Sequence, residues 1–321
     1  DSLEILLNES RSPHSLLLNE RIKGSVDILR VKSRTQNVAA LLPGDDSSLA
    51  DEIVVLGAHY DHLGFGGPGS GSRRPDTSAI HNGADDNASG VAVAMEIFEK
   101  LATVKKRHRS VLFIAFGAEE MGSLGAKYFI QNPLVDLKKI VFMCNLDMVG
   151  RLDSILTLYG TGTAVGMEPL LQDLTSSHQL AVSMSPEGLG PSDHAAFYAE
   201  DIPVLMLFTG MHDDYHTPAD DADLINYDGG KRIGDMATDL VLAVANRQEP
   251  LVFQLSGPQE RYASRRKFKV TLGIMPDVAG QEKRGLRVDA VMPDRPAFRA
   301  GMKKGDIIVA MEGKTVANVY E

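Results

Sequence analysis

Four short segments are apolar nearly throughout: "EIVVLGAHY" (52–60), "SVLFIAFGAEE" (110–120), "KIVFMCNLDMVG" (139–150) and "IPVLMLFTG" (202–210). A strand with one wet face alternates apolar and polar residues, whereas a strand covered on both faces does not. Between and beyond these runs, residues 88–101, 122–131, 168–178 and 227–246 carry apolar side chains at helical spacing. Another short strand is expected over 154–159. Buried strands alternating with helices predict an α/β fold with a mixed, largely parallel central sheet flanked by helices on both faces. A ligand site in such a sheet is expected just outside the carboxyl ends of its strands.

The tail differs. Residues 1–25 hold leucine clusters broken by polar residues and Pro13 and read as a lead-in, and 26–42 reads as extended. The main α/β domain is expected over 26–250, a linker over 251–267, and a small β-rich module over 268–321. Residues 64–83 are crowded with Gly, Pro, Ser and Arg and must be loop. A mobile flap over the cleft suits that loop.

Composition narrows the partners. Lys+Arg is 33 and Asp+Glu is 43, a net charge of −10. That argues against nucleic acid or an anionic membrane surface as the main partner. No apolar run approaches the roughly 20 residues of a membrane span. The one cysteine, Cys144, excludes an intrachain disulfide and any site built from several thiolates. A chain that begins at Asp1 reads as processed, and export to a periplasm or medium is the expectation.

The predicted strands end in polar residues: His59 and Asp61, then Glu119 and Glu120, then Asp147. "GADDNASG" (83–90) opens a helix, and His194 and His216 follow in "SDHAAF" and "DDYHTPAD". Each has an ordinary explanation singly: a surface histidine, a helix N-cap, a solvated corner. Jointly they would place several carboxylates and imidazoles on one rim, where like charges repel unless a cation sits among them. Histidine and carboxylate ligands without thiolate suit zinc, and less exclusively cobalt or manganese.

In this order, "GAHYDHLG", "NGADDNASGVA", "FGAEEMGSLGAKYF", "NLDMVGR" and "YHTPAD" resemble the di-zinc aminopeptidases of metallopeptidase family 28 over roughly residues 35–247. The resemblance implies a zinc-exopeptidase fold and two zinc ions held by His59, Asp86, Glu120, Asp147 and His216. Asp86 would bridge, Asp147 would share one metal with His59, and His216 the other with Glu120. It further implies Glu119 as general base, Asp61 as the carboxylate that orients the His59 imidazole, and a cis peptide bond after Asp86. Tyr215 matches a tyrosine that supports the oxyanion in some members, and His194 a loop near the substrate. His62 and His81 match no ligand position and read as loop residues. The implied reaction is hydrolysis of N-terminal residues from peptides. Carboxypeptidase, dipeptidase or glutaminyl cyclase chemistry on the same site, or a non-catalytic binding role, are the alternatives. The segments "VTLGI" (270–274) and 285–316 resemble a PDZ domain that stops short of its last helix and strands. That resemblance implies a place for a peptide C-terminus.

Overall fold

The computed structural model describes residues 33–256, 272–276, 284–291, 296–303 and 305–316. The expected lead-in, most of the expected linker and residues 270–271 of the PDZ-like loop lie outside these.

A seven-stranded sheet forms the centre, in the order β1-β3-β2-β4-β7-β5-β6. Its strands are β1 Val38–Leu42, β2 Ile53–His59, β3 Ser110–Phe116, β4 Ile140–Leu146, β5 Leu156–Tyr159, β6 Val182–Ser185 and β7 Val204–Phe208. β2, β3, β4 and β7 are mutually parallel, β5 and β6 are parallel to each other, and β1–β3 and β5–β7 are antiparallel. The sheet is mixed and largely parallel, as the apolar runs predict. Every residue of β2, β3 and β4 is buried. β6 escaped the sequence reading because only one of its four residues is buried and its polar serines blur the pattern.

The helices are α1 Gly90–Thr103, α2 Leu124–Gln131, α3 Met167–Ser177, α4 His194–Tyr198 and α5 Tyr227–Ala245. Successive strand side chains point to opposite faces, which splits the core in two. Val54, Leu56, Phe142, Cys144 and Leu146 pack with Ile97 of α1 and Ile233, Met236, Leu240 and Val244 of α5. Ile53, Val55, Ile114, Phe116 and Met143 pack with Phe129 of α2 and Phe197 of α4. Cys144 is a core residue, and burial pushes its thiol up to about 12, so it stays protonated.

One basic side chain lies wholly inside among the described residues. Arg109 pairs with Glu52 at 2.6 Å and donates to the carbonyls of Val244, Ala245 and Arg247. It satisfies carbonyls that the end of α5 leaves open.

Residues 251–256, expected in the linker, belong to the α/β body. Phe253 bridges to Ala164, Val165 donates to the Val252 carbonyl, and Tyr198 hydroxyl donates to the Ser256 carbonyl. Further on, β8 Ile274–Pro276, β9 Leu286–Val291 and β10 Ile307–Ile308 form a small antiparallel sheet, and β11 Ala310–Met311 pairs with β12 Lys314–Thr315. No helix among the described residues is long and apolar enough to cross a membrane.

Candidate functional site

β3 lies on one side of β2 and β4 on the other, so the chain order reverses around β2. A crevice opens at such a reversal, at the carboxyl ends of the strands. His59 ends β2, Glu119 and Glu120 follow β3, and Asp147 follows β4. The loop after β7 brings His216, and the turn Ala84–Ser89 before α1 brings Asp86.

These side chains converge. His59 Nε2 lies 3.2 Å from Asp86 Oδ1 and 3.4 Å from Asp147 Oδ1. His216 Nε2 lies 3.1 Å from Asp86 Oδ2 and 3.1 Å from Glu120 Oε2. Asp86 thus turns one oxygen to each cluster. His62, which reads as a bystander in sequence, joins the second: its Nδ1 lies 2.7 Å from Glu120 Oε1. The ligand atoms of His59, Asp86 and Asp147 lie within 4.8 Å of one another, as do those of His62, Asp86 and Glu120.

The two histidines facing Asp86 are oriented alike. The Nδ1 of His59 is held by the Asp61 carbonyl at 3.1 Å, and that of His216 by the Gly71 carbonyl at 3.0 Å. With the proton on Nδ1, each Nε2 turns its lone pair to the carboxylates. His216 Nε2 is buried and finds no hydrogen-bond partner, although two carboxylate oxygens lie 3.1 Å away. A lone pair aimed among anionic oxygens fits a cation. Protons compete for the same place. Burial disfavours charge on His216, yet its contacts with Asp86 and Glu120 hold it up to about 10. Burial likewise works against His59, but Asp147 and Asp86 raise it well above its usual value. The donor set therefore fits divalent metal, with histidine and carboxylate ligands only.

Glu119 stands apart from both clusters. Its Oε1 accepts from Ser123 Oγ at 3.2 Å. Burial pushes its carboxyl up to about 8; the charge of His59 opposes this and those of Asp147, Asp193 and Glu120 add to it. Tyr215 stacks on the His216 ring with centroids 3.8 Å apart. Burial and then the surrounding carboxylates raise its hydroxyl well above the usual tyrosine range, so it remains a donor. Glu119, Glu120, Tyr215 and His216 share the wall of a cavity of about 620 Å³ with Ile130, Ala195 and Ala199.

Three expectations change. The Asp61 carboxylate does not hold the His59 ring, from which it stands 3.9 Å away. It accepts instead from the backbone N–H of Glu119 at 2.9 Å and of Glu120 at 3.3 Å, so it shapes the turn carrying both glutamates. His194 is not among the residues that line this cavity. It is fully buried under the Gly190 backbone, where a Cβ would come within 2.6 Å of its Nε2, and burial pushes its ring down to about 3. The Gly-rich loop is bolted rather than free. Arg73 donates its backbone N–H to His216 and its guanidinium to the carbonyls of His212, Asp213 and Tyr215. His81 ties the same loop to Ser72 and to its own segment, in keeping with a loop role.

The turn bearing Asp86 is laced to its surroundings by residues the sequence reading did not single out. Asp220 Oδ2 accepts from Asp85 N and Asp86 N at 2.9 and 3.1 Å, while its Oδ1 pairs with Arg151 at 3.0 Å. Asp85 Oδ1 accepts from Gly150 N at 2.7 Å. Asn87 donates to the Leu146 carbonyl and accepts from Met148 N and Gly90 N. The Asp86–Asn87 peptide bond is cis. Of seven non-glycine residues with positive φ among the described residues, Ala118, Ser123, Met148 and His216 sit in these loops, so backbone strain gathers at the site.

Gly90 closes this clasp: a Cβ there would collide with Asn87 Oδ1 and the Leu146 carbonyl. Helix propensity alone favours Gly90→Ala by up to about 1 kcal/mol. The clash reverses the sign, and a loss of about 1–3 kcal/mol is expected in urea unfolding of the metal-free chain. An unchanged midpoint would show that the clasp yields freely.

Comparison with known proteins fits this geometry. Aminopeptidase YwaD of Bacillus subtilis (strain 168) is 28% identical over 210 residues, covering 62% of this chain and 42% of its own. An aminopeptidase of Pseudomonas aeruginosa (strain UCBPP-PA14) is 30% identical over 195 residues, 58% of this chain and 33% of its own. The solved aminopeptidase from Aneurinibacillus sp. strain AM-1 superposes with a TM-score of 0.52 at 28% identity, covering 68% of this chain and 50% of that one. The chain spans about a third to a half of the length of these relatives. Residues 37–241 match the profile of Peptidase family M28, well over half of the sequence, and the chain belongs to that family.

Proposed function

We propose that this chain is a co-catalytic di-zinc aminopeptidase that hydrolyses N-terminal residues from peptides. The observation that carries this is the placement of Asp86, with one oxygen towards His59 and Asp147 and the other towards His216 and Glu120. Two zinc ions so held, or cobalt or manganese in their place, would polarise a peptide carbonyl and bring the pKa of water towards neutrality.

The protein's own groups do the rest. Glu119 binds neither cluster and opens on the cleft, so its ionised form is free to take a proton from water and return it to the leaving amine. Ser123 steadies its Oε1. The Tyr215 hydroxyl, kept protonated, offers a hydrogen bond to the oxyanion. Asp61 fixes the backbone of both glutamates and so keeps their side chains diverging. The small C-terminal sheets are assigned to a PDZ-like module that takes peptide C-termini, and export is the expected destination.

A panel of aminoacyl chromogenic substrates, with and without chelator, tests the activity. Free N-termini should be cleaved, chelator should abolish cleavage, and N-acetylated peptides should resist. Equal cleavage of acetylated and free peptides would point to carboxypeptidase or endopeptidase chemistry. Release of pyroglutamyl product from N-terminal glutamine would point to a cyclase.

A further inference from the structure

The distances around Glu120 separate two kinds of contact. With zinc–ligand bonds of about 2.0–2.2 Å, two tetrahedral donors stand about 3.3–3.6 Å apart. The pairs His59–Asp86 at 3.2 Å, His59–Asp147 at 3.4 Å, His216–Asp86 at 3.1 Å and His216–Glu120 at 3.1 Å lie at that spacing or slightly inside it. His62 does not. Its Nδ1 is 2.7 Å from Glu120 Oε1, hydrogen-bond length, and 3.8 Å from Asp86 Oδ2. It meets the oxygen of Glu120 that His216 does not face.

We infer that His62 is a positioning residue: it donates its Nδ1 proton to Glu120 Oε1 and leaves Oε2 alone to ligate the second metal. This rests on the two-metal reading above. A carboxylate with both oxygens free can swing between one-oxygen and two-oxygen ligation, and a donor on one of them removes that freedom. The His62 ring is well placed to be rigid. A Cβ on Gly83 would come within 2.6 Å of its Cγ, so Gly83, at φ 60, packs its bare backbone against the ring. The ring centroid lies 5.6 Å from that of His216, edge to face. Asp61, one residue earlier, holds the Glu119–Glu120 backbone. The loop after β2 thus grips the turn after β3 by main chain and side chain together.

The test uses the full chain and zinc alone. An Asn side-chain amide sits where a His Nδ1 sits and donates equally well, but it is a poor zinc ligand. In chelator competition, His62→Ala should weaken one of the two zinc affinities about 10–100-fold, and His62→Asn should recover to within about threefold of the unaltered chain. In 15N-histidine NMR the unaltered chain should show His62 protonated on Nδ1, with and without zinc. If Asn binds as weakly as Ala, and His62 carries its proton on Nε2 when zinc is bound, His62 is a ligand and the inference falls. It falls too if Ala leaves both affinities untouched. An unaltered chain that takes up fewer than two zinc ions would overturn the two-metal reading instead. The tautomer in the metal-free chain would still decide whether His62 holds Glu120.

Discussion

Glu119→Gln is expected to leave two zinc ions bound per chain and to lower kcat for peptide hydrolysis by about 10²–10⁴-fold. That corresponds to about 3–5.5 kcal/mol of transition-state stabilisation. Glutamine has the shape of glutamate and keeps an oxygen to accept from Ser123 Oγ. Neither histidine–carboxylate cluster includes Glu119, and the Glu120 carboxylate keeps its contacts with His62 and His216. The Asp61 carboxylate binds the backbone at 119 and 120, which the substitution does not touch. What is lost is the carboxylate on the cavity wall that joins neither cluster. KM should therefore change little while kcat collapses. Zinc content by metal analysis and steady-state rates on the same preparation read both quantities. A variant that binds two zinc ions and still turns over at the unaltered rate would remove Glu119 from the mechanism.

The largest stability effect is expected at Asp220. Its carboxylate is fully buried, accepts from two backbone N–H groups in the turn bearing Asp86, and pairs with Arg151. Asp220→Ala strands both donors and leaves the Arg151 guanidinium short of a partner, though Asp214 stands 3.5 Å from its other nitrogen. Removing one side of a buried pair costs about 3–5 kcal/mol, because the surviving group stays desolvated. The loss should appear in urea unfolding of the metal-free chain. Hydrolysis should fall as well, since the turn that aims the two Asp86 oxygens loses its anchor. A loss below about 1 kcal/mol would mean that water or Asp214 replaces the carboxylate, and the lacing would count for little.

The residues proposed as ligands were legible in the sequence for a physical reason. A strand buried on both faces is apolar until it leaves the sheet, so the first polar residue after each run marks the rim. His59, Glu119, Glu120 and Asp147 were found in that way, and the ordered motifs added Asp86 and His216. His62 was missed because only its distance to Glu120 distinguishes it from an ordinary loop histidine. Its place one residue after Asp61 was the one available signal. Asp220 and Arg151 were missed because each is a common loop residue whose importance comes from a partner 65 or more positions away. His194 is buried and off the cavity wall, and the sequence does not say which side of a short helix turns inward.

The sequence by itself determined the layered α/β body, the sheet edge that bears the chemistry, and the residue types that suit a divalent cation. Those follow from periodicity and from the cost of burying charge, which act locally along the chain. Only the tertiary structure decided which oxygen of Asp86 faces which cluster, that Asp61 grips the Glu119–Glu120 turn with its carboxylate and the His59 ring with its carbonyl, and that Arg73 ties the glycine-rich loop to His216. Hydrogen bonds between distant loops have no period in sequence. They exist only where the packed sheet brings the ends of its strands together.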